Sequence, residues 1–338
     1  MSIEFTDINF EVPSFLIHHY YVTGTMSILM NLFVFYLILF HNKNMDSFRY
    51  YMLSFQLACS LVDIHLSFLM QPIPLFPLRG GHCSGVFVIL FNSSPHDLMI
   101  VLSTLVGTQV NTLNVCFLRK HQAIAKIDKK HILPTPIYNF LVVFFLSYTF
   151  IYTTCFYLSE LTKEEQFRMI DRDYAIFRSE FYKLANFNIY EMNPPFMVFF
   201  LLIIAGCLQS ICTVSLLVFQ MYTTLMNCRH NLSKTTLEKH KTALKSLVAQ
   251  LQFLTTPIGI LPAMLIVSTV FFPFHGAQLF TWYMLMTMST HSTINSLVVI
   301  FTIPEFRDYV LFCTNKRKRN TSTVIFDISG VTRTSRVL

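Results

Sequence analysis

Hydrophobic positions dominate long stretches of this chain, and polar clusters interrupt them at intervals. A bilayer-spanning helix needs about 20 mostly apolar residues. Seven stretches qualify: His18–Phe40, Tyr51–Gln71, a long one within Gly85–Leu118, Ile137–Leu158, Pro195–Tyr222, Lys245–Phe272 and Leu279–Ile303. The third is the least regular, because NSSPHD (92–97) separates VFVILF (86–91) from LMIVLSTLV (98–106). Losing that stretch would leave six spans. The predicted fold is an all-α, integral membrane seven-helix bundle. It divides into an extracellular N-terminus (1–17), a seven-transmembrane domain (18–303) and a cytoplasmic tail (304–338).

Within the second span sits SLVDIHLSFLM (60–70), with an aspartate and a histidine in otherwise apolar sequence. On an insertion scale a central Asp costs about 3 kcal/mol, and each Leu, Ile, Phe or Val returns roughly 0.3 to 0.6. Asp63 is therefore tolerable, provided that it faces protein or water instead of lipid. Gln56, Ser60, Asp63 and Ser67 recur at steps of four, three and four, which is one helix face. His65 stands two positions on from Asp63, so the two side chains do not meet. Span three carries Thr104, Thr108 and Asn111 at similar spacing, and span seven carries Thr287, His291 and Asn295. With 1.5 Å of rise per residue, Asp63 stands about 20 Å above the cytoplasmic end of its helix and His291 about 18 Å above the end of its own. The matched depths predict an intramembrane polar network containing Asp63, His291 and Asn295. The alternative is that each residue is satisfied by its own neighbours.

Charge then sets the orientation. Of the 25 Lys and Arg, 19 fall in loops one, three and five and the tail; the other 6 fall in loops on the opposite side. Cytoplasmic loops hold the excess of basic residues, so the N-terminus is outside and the tail inside. The net charge of +7 is mostly this bias, with anionic inner-leaflet lipid as its natural partner. It calls for no nucleic acid. With 53% hydrophobic and only 13% charged residues, the chain is too apolar for an ordinary water-soluble domain. The first 16 residues lack the basic start of a cleavable leader, so the first span is expected to insert by itself.

Chemistry-bearing motifs are few. No HExxH, GxSxG, P-loop or carboxylate cluster appears, so no enzyme, cofactor or metal is expected. The eight cysteines show no ligand spacing. Ser159–Pro194, the longest outer loop, contains no cysteine, and Cys83 has only Cys155 as an available disulfide partner. That loop reads either as a solvated connection or as an extracellular cap. Asn92 heads the one glycosylation sequon on the outer side; Asn231 and Asn320 match the pattern but lie inside. After Pro304, PEFRDYVLFC (304–313) reads as a short amphipathic helix on the membrane surface, with Cys313 placed for palmitoylation. Pro257 and Pro262 predict a bend in span six. An outward-opening ligand pocket among spans three, five, six and seven would draw on Gln109, Asn111, Gln209, Trp282 and His291, with Trp282 alternatively an interfacial anchor.

Four stretches carry a family resemblance. QPIPLFP (71–77) with Gly80 and Gly81, CFLRKHQAI (116–124), HKTALKSLVAQLQFLTTPIGILP (240–262) and HSTINSLVVIFTIPEFRDYV (291–310) stand in order along spans two to seven. Together they resemble nematode serpentine chemoreceptors, class I or class H of the Str-type group. The resemblance implies a G-protein-coupled receptor for a small-molecule ligand. It further implies a plasma-membrane protein, on the cilia of sensory neurons, whose partner is a heterotrimeric G protein. Dimerisation stays open. Coupling would use the cytoplasmic ends of spans three, five and six, with Arg119, Lys120 and His121 at its centre. The family's Cys-Phe-x-Tyr-Arg-His-Gln stretch has Arg119 here in its Tyr position and Lys120 in its Arg position. Lys is a point charge where Arg is a planar fork, so the coupling chemistry departs from the pattern. A seven-span ligand-gated channel subunit is the alternative reading; its usual topology is inverted relative to the charge bias found here.

Overall fold

The structure, a computed structural model, describes residues 8–41, 48–229 and 233–312. Its framework is a bundle of seven helical spans. The first is α1 (Ser14–Phe40), and the second is α2 (Phe48–Ile64) continued by a π-helical turn, His65–Met70. After a short helix α3 (Val86–Phe91) come α4 (Pro95–Asp128) and α5 (Thr135–Tyr157), the third and fourth spans. The outer loop contains α6 (Lys163–Asp173) and α7 (Arg178–Lys183), and α8 (Pro194–Asn227) is the fifth span. The sixth runs through α9 (Lys234–Gln250), a π-helical stretch Leu251–Ile260 and α10 (Leu261–Phe271). The seventh is α11 (Ala277–Ser289) and α12 (His291–Thr302), broken at Thr290. Six of these spans are long and apolar enough to cross a bilayer; in the sixth only Ile258–Phe271 is strongly apolar.

The irregular third span resolves simply. NSSPHD is a helix start: Asn92 ends α3 in a left-handed conformation, Ser94 caps α4 by accepting from the His96 amide, and Pro95 occupies the first turn. Pro there loses no helix hydrogen bond. At the other end α4 continues through CFLRKHQAIAKID, well past Leu118. The sixth span accommodates Pro257 by widening to π-helix, one of the recognised ways of absorbing a missing amide donor.

Each span buries a stripe and leaves the rest to lipid. In α1 the buried residues Leu16, Tyr20, Gly24, Ser27, Asn31 and Val34 recur every three or four positions, whereas Leu29 and Leu32 are exposed. A 27-residue helix with such a face is held by packing against α2 and α12, since lipid supplies no hydrophobic drive between helices. At the cytoplasmic end Phe55, Leu113, Phe117, Val214, Leu217 and Met221 form a core between spans two, three and five.

Above the bundle the chain adds what helical periodicity alone does not predict. A three-stranded antiparallel sheet joins β1 (Pro72–Pro74), β2 (Gly80–Cys83) and β3 (Phe187–Ile189), in that order. Ile73 pairs with His82, and Gly81 with Asn188. Pro72 and Pro74, which lack amide donors, take an edge strand, as they must. The central strand needs glycine: a Cβ on Gly80 would lie 2.6 Å from the Asn188 carbonyl oxygen, and one on Gly81 2.8 Å from that of Ile73. Loop 159–194 is a folded cap. Thr162 and Glu165 form a capping box at the start of α6. Leu75, Leu78, Ile170, Phe181, Phe187 and Ile189 then close a small core between α6, α7 and the sheet. Phe10 packs edge-on against Phe181, and Asn9 exchanges two hydrogen bonds with Gln278 of α11, at 2.9 and 2.7 Å. The solvated-loop reading of this segment therefore fails: its apolar residues at helical spacing had a partner in the β1–β2 hairpin. Residues 304–312 are helical, with Phe306 buried against α1 and α12. Cys313, Asn231 and Asn320 lie outside the described residues.

Candidate functional site

A cavity of about 390 Å³ opens between the sheet and the middle of the bundle, a size typical of small-molecule sites. The outer wall is the sheet itself, through Ile73, Gly81 and His82; spans two to seven supply the sides. Leu102, Val106, Phe156, Phe199, Ile266 and Met288 make these sides apolar. Gln109, Asn111, Gln209 and His291 all line the cavity.

Trp282 does not. It is buried beside Phe15 of α1, ring centroids 5.7 Å apart, and its indole N–H donates to the Pro74 carbonyl at 3.3 Å. The sequence placed Trp282 on the correct span but could not give its rotation: the ring ties α11 to α1 and the sheet, away from the cavity lining.

At the floor, Gln109 of α4 reaches His291 of α12. Its amide N–H₂ donates to His291 Nδ1 at 3.1 Å and to Cys59 Sγ at 3.4 Å. Asn111 donates instead to Thr149 on α5 at 2.8 Å. Below, hydrogen bonds run from helix to helix. Asn295 donates to Gln56 at 2.9 Å and approaches Cys59 Sγ at 3.8 Å. Gln56 donates to Asn31 and, at 2.8 Å, to Ser296. Asn31 donates to Ser292 at 2.8 Å and to Ser27 at 2.9 Å, and the Ser27 hydroxyl donates to the Asp63 carboxylate. Asp63 and His291 are thus joined through intermediates, with no direct bond between them. His65 points elsewhere, donating from Nε2 to the Leu98 carbonyl of α4 at 2.9 Å.

Among the contributors missed in the sequence are two in the first span, Ser27 and Asn31. They stand at i and i+4 in α1, both buried, and that spacing was the available signal. Small polar residues barely disturb a hydropathy profile, so the first span reads as plain lipid-facing helix.

On the cytoplasmic side, Arg119 lies over the Tyr51 ring at 5.7 Å and the Lys120 ammonium over the Phe48 ring at 5.1 Å. Lys120 is only 8% exposed and His121 3%. Lys120 and His121, expected to present a coupling surface, are turned inward against α2 and the core of the bundle, while Arg119 is half-buried. Coulomb attraction to a π-face is one way to hold a buried cation.

Cys83 and Cys155 are both free thiols, as are the other cysteines among the described residues. The sheet, and not a disulfide, fastens the second outer loop to the first. Asn92 is exposed, and its side-chain oxygen accepts from Asn186 at 2.6 Å.

This arrangement has known counterparts. None of the curated proteins compared with the chain matches it. Among solved structures, squid rhodopsin superposes with a TM-score of 0.61 at 11% identity, covering 93% of this chain and 91% of its own. That likeness shows the fold alone. A family model described as serpentine type 7TM GPCR chemoreceptor Sri matches residues 6–310. The chain therefore belongs to the Sri family of serpentine-type chemoreceptors and is a multi-pass, G-protein-coupled chemosensory receptor.

Proposed function

We propose that the cavity under the sheet is the recognition site for a small molecule, with Gln109, Asn111, Gln209 and His291 at its polar positions. The observation that carries this is continuity: the Gln109–His291 pair at the cavity floor joins the hydrogen-bonded chain that runs to Asp63 and Asn295. A ligand that displaces His291 therefore acts on a network binding spans one, two, three and seven together. The coupling surface is the cytoplasmic end of spans three, five and six, where Arg119, Lys120 and His121 become available to a heterotrimeric G protein when the helices part. Ligand binding favours that arrangement only by binding it more tightly than the closed one. The Sri designation supports class I over class H.

The charge bias supports an extracellular segment 1–17, a membrane domain 18–303 and a cytoplasmic tail 304–338 in contact with lipid headgroups. The family supports the plasma membrane of ciliated sensory neurons as its place. Asn92 is the proposed glycosylation site and Cys313 the proposed palmitoylation site; association into dimers is a further open property of the same reading.

The test is G-protein activation in cells expressing the chain, challenged with volatile and soluble small molecules. A ligand response lost in Arg119→Ala with Lys120→Ala, at normal surface expression, is the expected result. A ligand-evoked current that persists without any G protein would favour a channel instead.

A further inference from the structure

Most polar groups around the cavity are already engaged by protein. The Tyr148 and Tyr152 hydroxyls donate to the carbonyls of Leu202 and Ser103, at 2.6 and 2.8 Å. Asn111 is held by Thr149, and Ser210 accepts from Asn114 at 2.8 Å. Of the buried lining atoms among the described residues, two ring nitrogens have no partner: Nε2 of His291 at the floor and Nε2 of His82 in the outer wall. Each imidazole is 6% exposed. A buried polar atom without a partner costs free energy that a ligand can recover.

The chemistry of the floor atom follows from its neighbour. A Gln amide nitrogen only donates, so His291 Nδ1, 3.1 Å from Gln109 Nε2, must accept. A neutral imidazole with an accepting Nδ1 carries its proton on Nε2. The free atom is therefore an N–H donor. Space is kept beside it by Gly259 of the sixth span, which also lines the cavity: a Cβ there would lie 3.8 Å from Nε2. Only Asp63 and Arg79 among the lining residues carry formal charge. Asp63 already accepts from Ser27, and Arg79 lies 3.5 Å from the Tyr174 hydroxyl of the cap. The walls between floor and sheet are mostly apolar, with Gln209 a further polar residue of the lining.

We infer that the cavity takes an uncharged, largely apolar molecule bearing a hydrogen-bond acceptor, such as the oxygen of a ketone, aldehyde or ester, which the His291 Nε2–H group engages. This rests on the reading of the cavity as the recognition site. An amine would have to compete with Ser27 for Asp63, the one carboxylate in the lining, and a hydrocarbon would leave the N–H unpaired.

The experiment uses cells expressing the full chain with a G-protein reporter. The probes are ketones and esters of four to ten carbons, the matched hydrocarbons and the matched primary amines. Responders are expected among the ketones and esters. His291→Phe, which keeps an aromatic ring but removes the Nε2–H donor together with the Nδ1 acceptor of Gln109, raises their half-maximal concentration by at least about tenfold, the scale of one buried hydrogen bond. Gly259→Leu fills the space beside Nε2 and abolishes the response without touching the Gln109–His291 bond; it guards against poor folding of the first variant, and surface labelling is read for both. Amines or hydrocarbons that activate as well as ketones, and are blocked by Gly259→Leu, overturn the inference while leaving the cavity as the site. A panel with no ketone or ester responder overturns it too. Responses indifferent to Gly259→Leu at full surface expression overturn both the inference and the cavity reading beneath it.

Discussion

Asn31 uses all four hydrogen-bonding positions of its amide. It donates to Ser27 and Ser292, and its oxygen accepts from Gln56 and Ser296. Replacing it by Leu removes bonds to three other residues outside its own helix and leaves the Gln56 amide short of an acceptor. Interhelical hydrogen bonds in membranes are worth about 0.6 to 1.7 kcal/mol each. Asn31→Leu is therefore expected to lower the thermal stability of the detergent-solubilised receptor more than Thr287→Val does, since among the described residues the Thr287 hydroxyl bonds only the Tyr283 carbonyl of its own helix. Equal melting temperatures for the two variants would show that Asn31 is not a hub. A second comparison separates close approach from backbone strain. Gly276 has φ +81° and nothing within 4 Å of where a Cβ would stand, so Gly276→Ala costs only the left-handed backbone penalty of about 1 to 2 kcal/mol. Gly80→Ala forces atoms into the Asn188 carbonyl and should reduce surface expression far more, measured by antibody labelling of intact cells.

The sheet that walls the cavity makes its own prediction at the scale of an element. Burial pushes the His82 imidazole down from 6.5 to about 4. When the sheet opens, the ring returns to its ordinary value and takes up a proton anywhere between those two pH values. The open form thus binds more protons, and stability rises with pH. The contribution from His82 is complete above about pH 6.5 and is lost as pH falls toward 4. Amide exchange in β2, corrected for the intrinsic pH dependence, should lose protection over that window in the native chain and less so in His82→Phe. Protection that is flat down to about pH 4 would contradict the assignment. These elements also show what the sequence could reveal. The stripe Gln56, Ser60, Asp63 and Ser67 was legible because helical spacing alone assigns a face, and all four residues are buried. Basic residues give an expected orientation without any contact. The sheet was not: its strands are three or four residues long, one contains two prolines, and the pairing of Gly81 with Asn188 spans more than a hundred positions. Trp282 shows the same limit, since the rotation of a helix that is apolar all round is fixed by its neighbours.

For the molecule as a whole, the inward-turned Lys120 and His121 mark a cytoplasmic end that, on the proposed reading, opens on activation. Opening it should expose them. In Lys120→Cys, the rate of labelling by a membrane-impermeant thiol reagent, applied to inside-out membranes, is expected to rise on adding an activating ligand. The unsubstituted chain serves as the background. A rate unchanged by ligand would mean that this end does not open at Lys120. At the opposite end, the cap is joined to the bundle through backbone hydrogen bonds and packing, with Cys83 a free buried thiol at the end of β2. No covalent strap has to be cut for the doorway to move. On the proposed reading of the cavity as the recognition site, the roof is a reversible closure, and the entry rate of a ligand that passes it is set by the fluctuations of three short strands. Reducing conditions leave that rate untouched, whereas a bulkier side chain at Gly81 changes it.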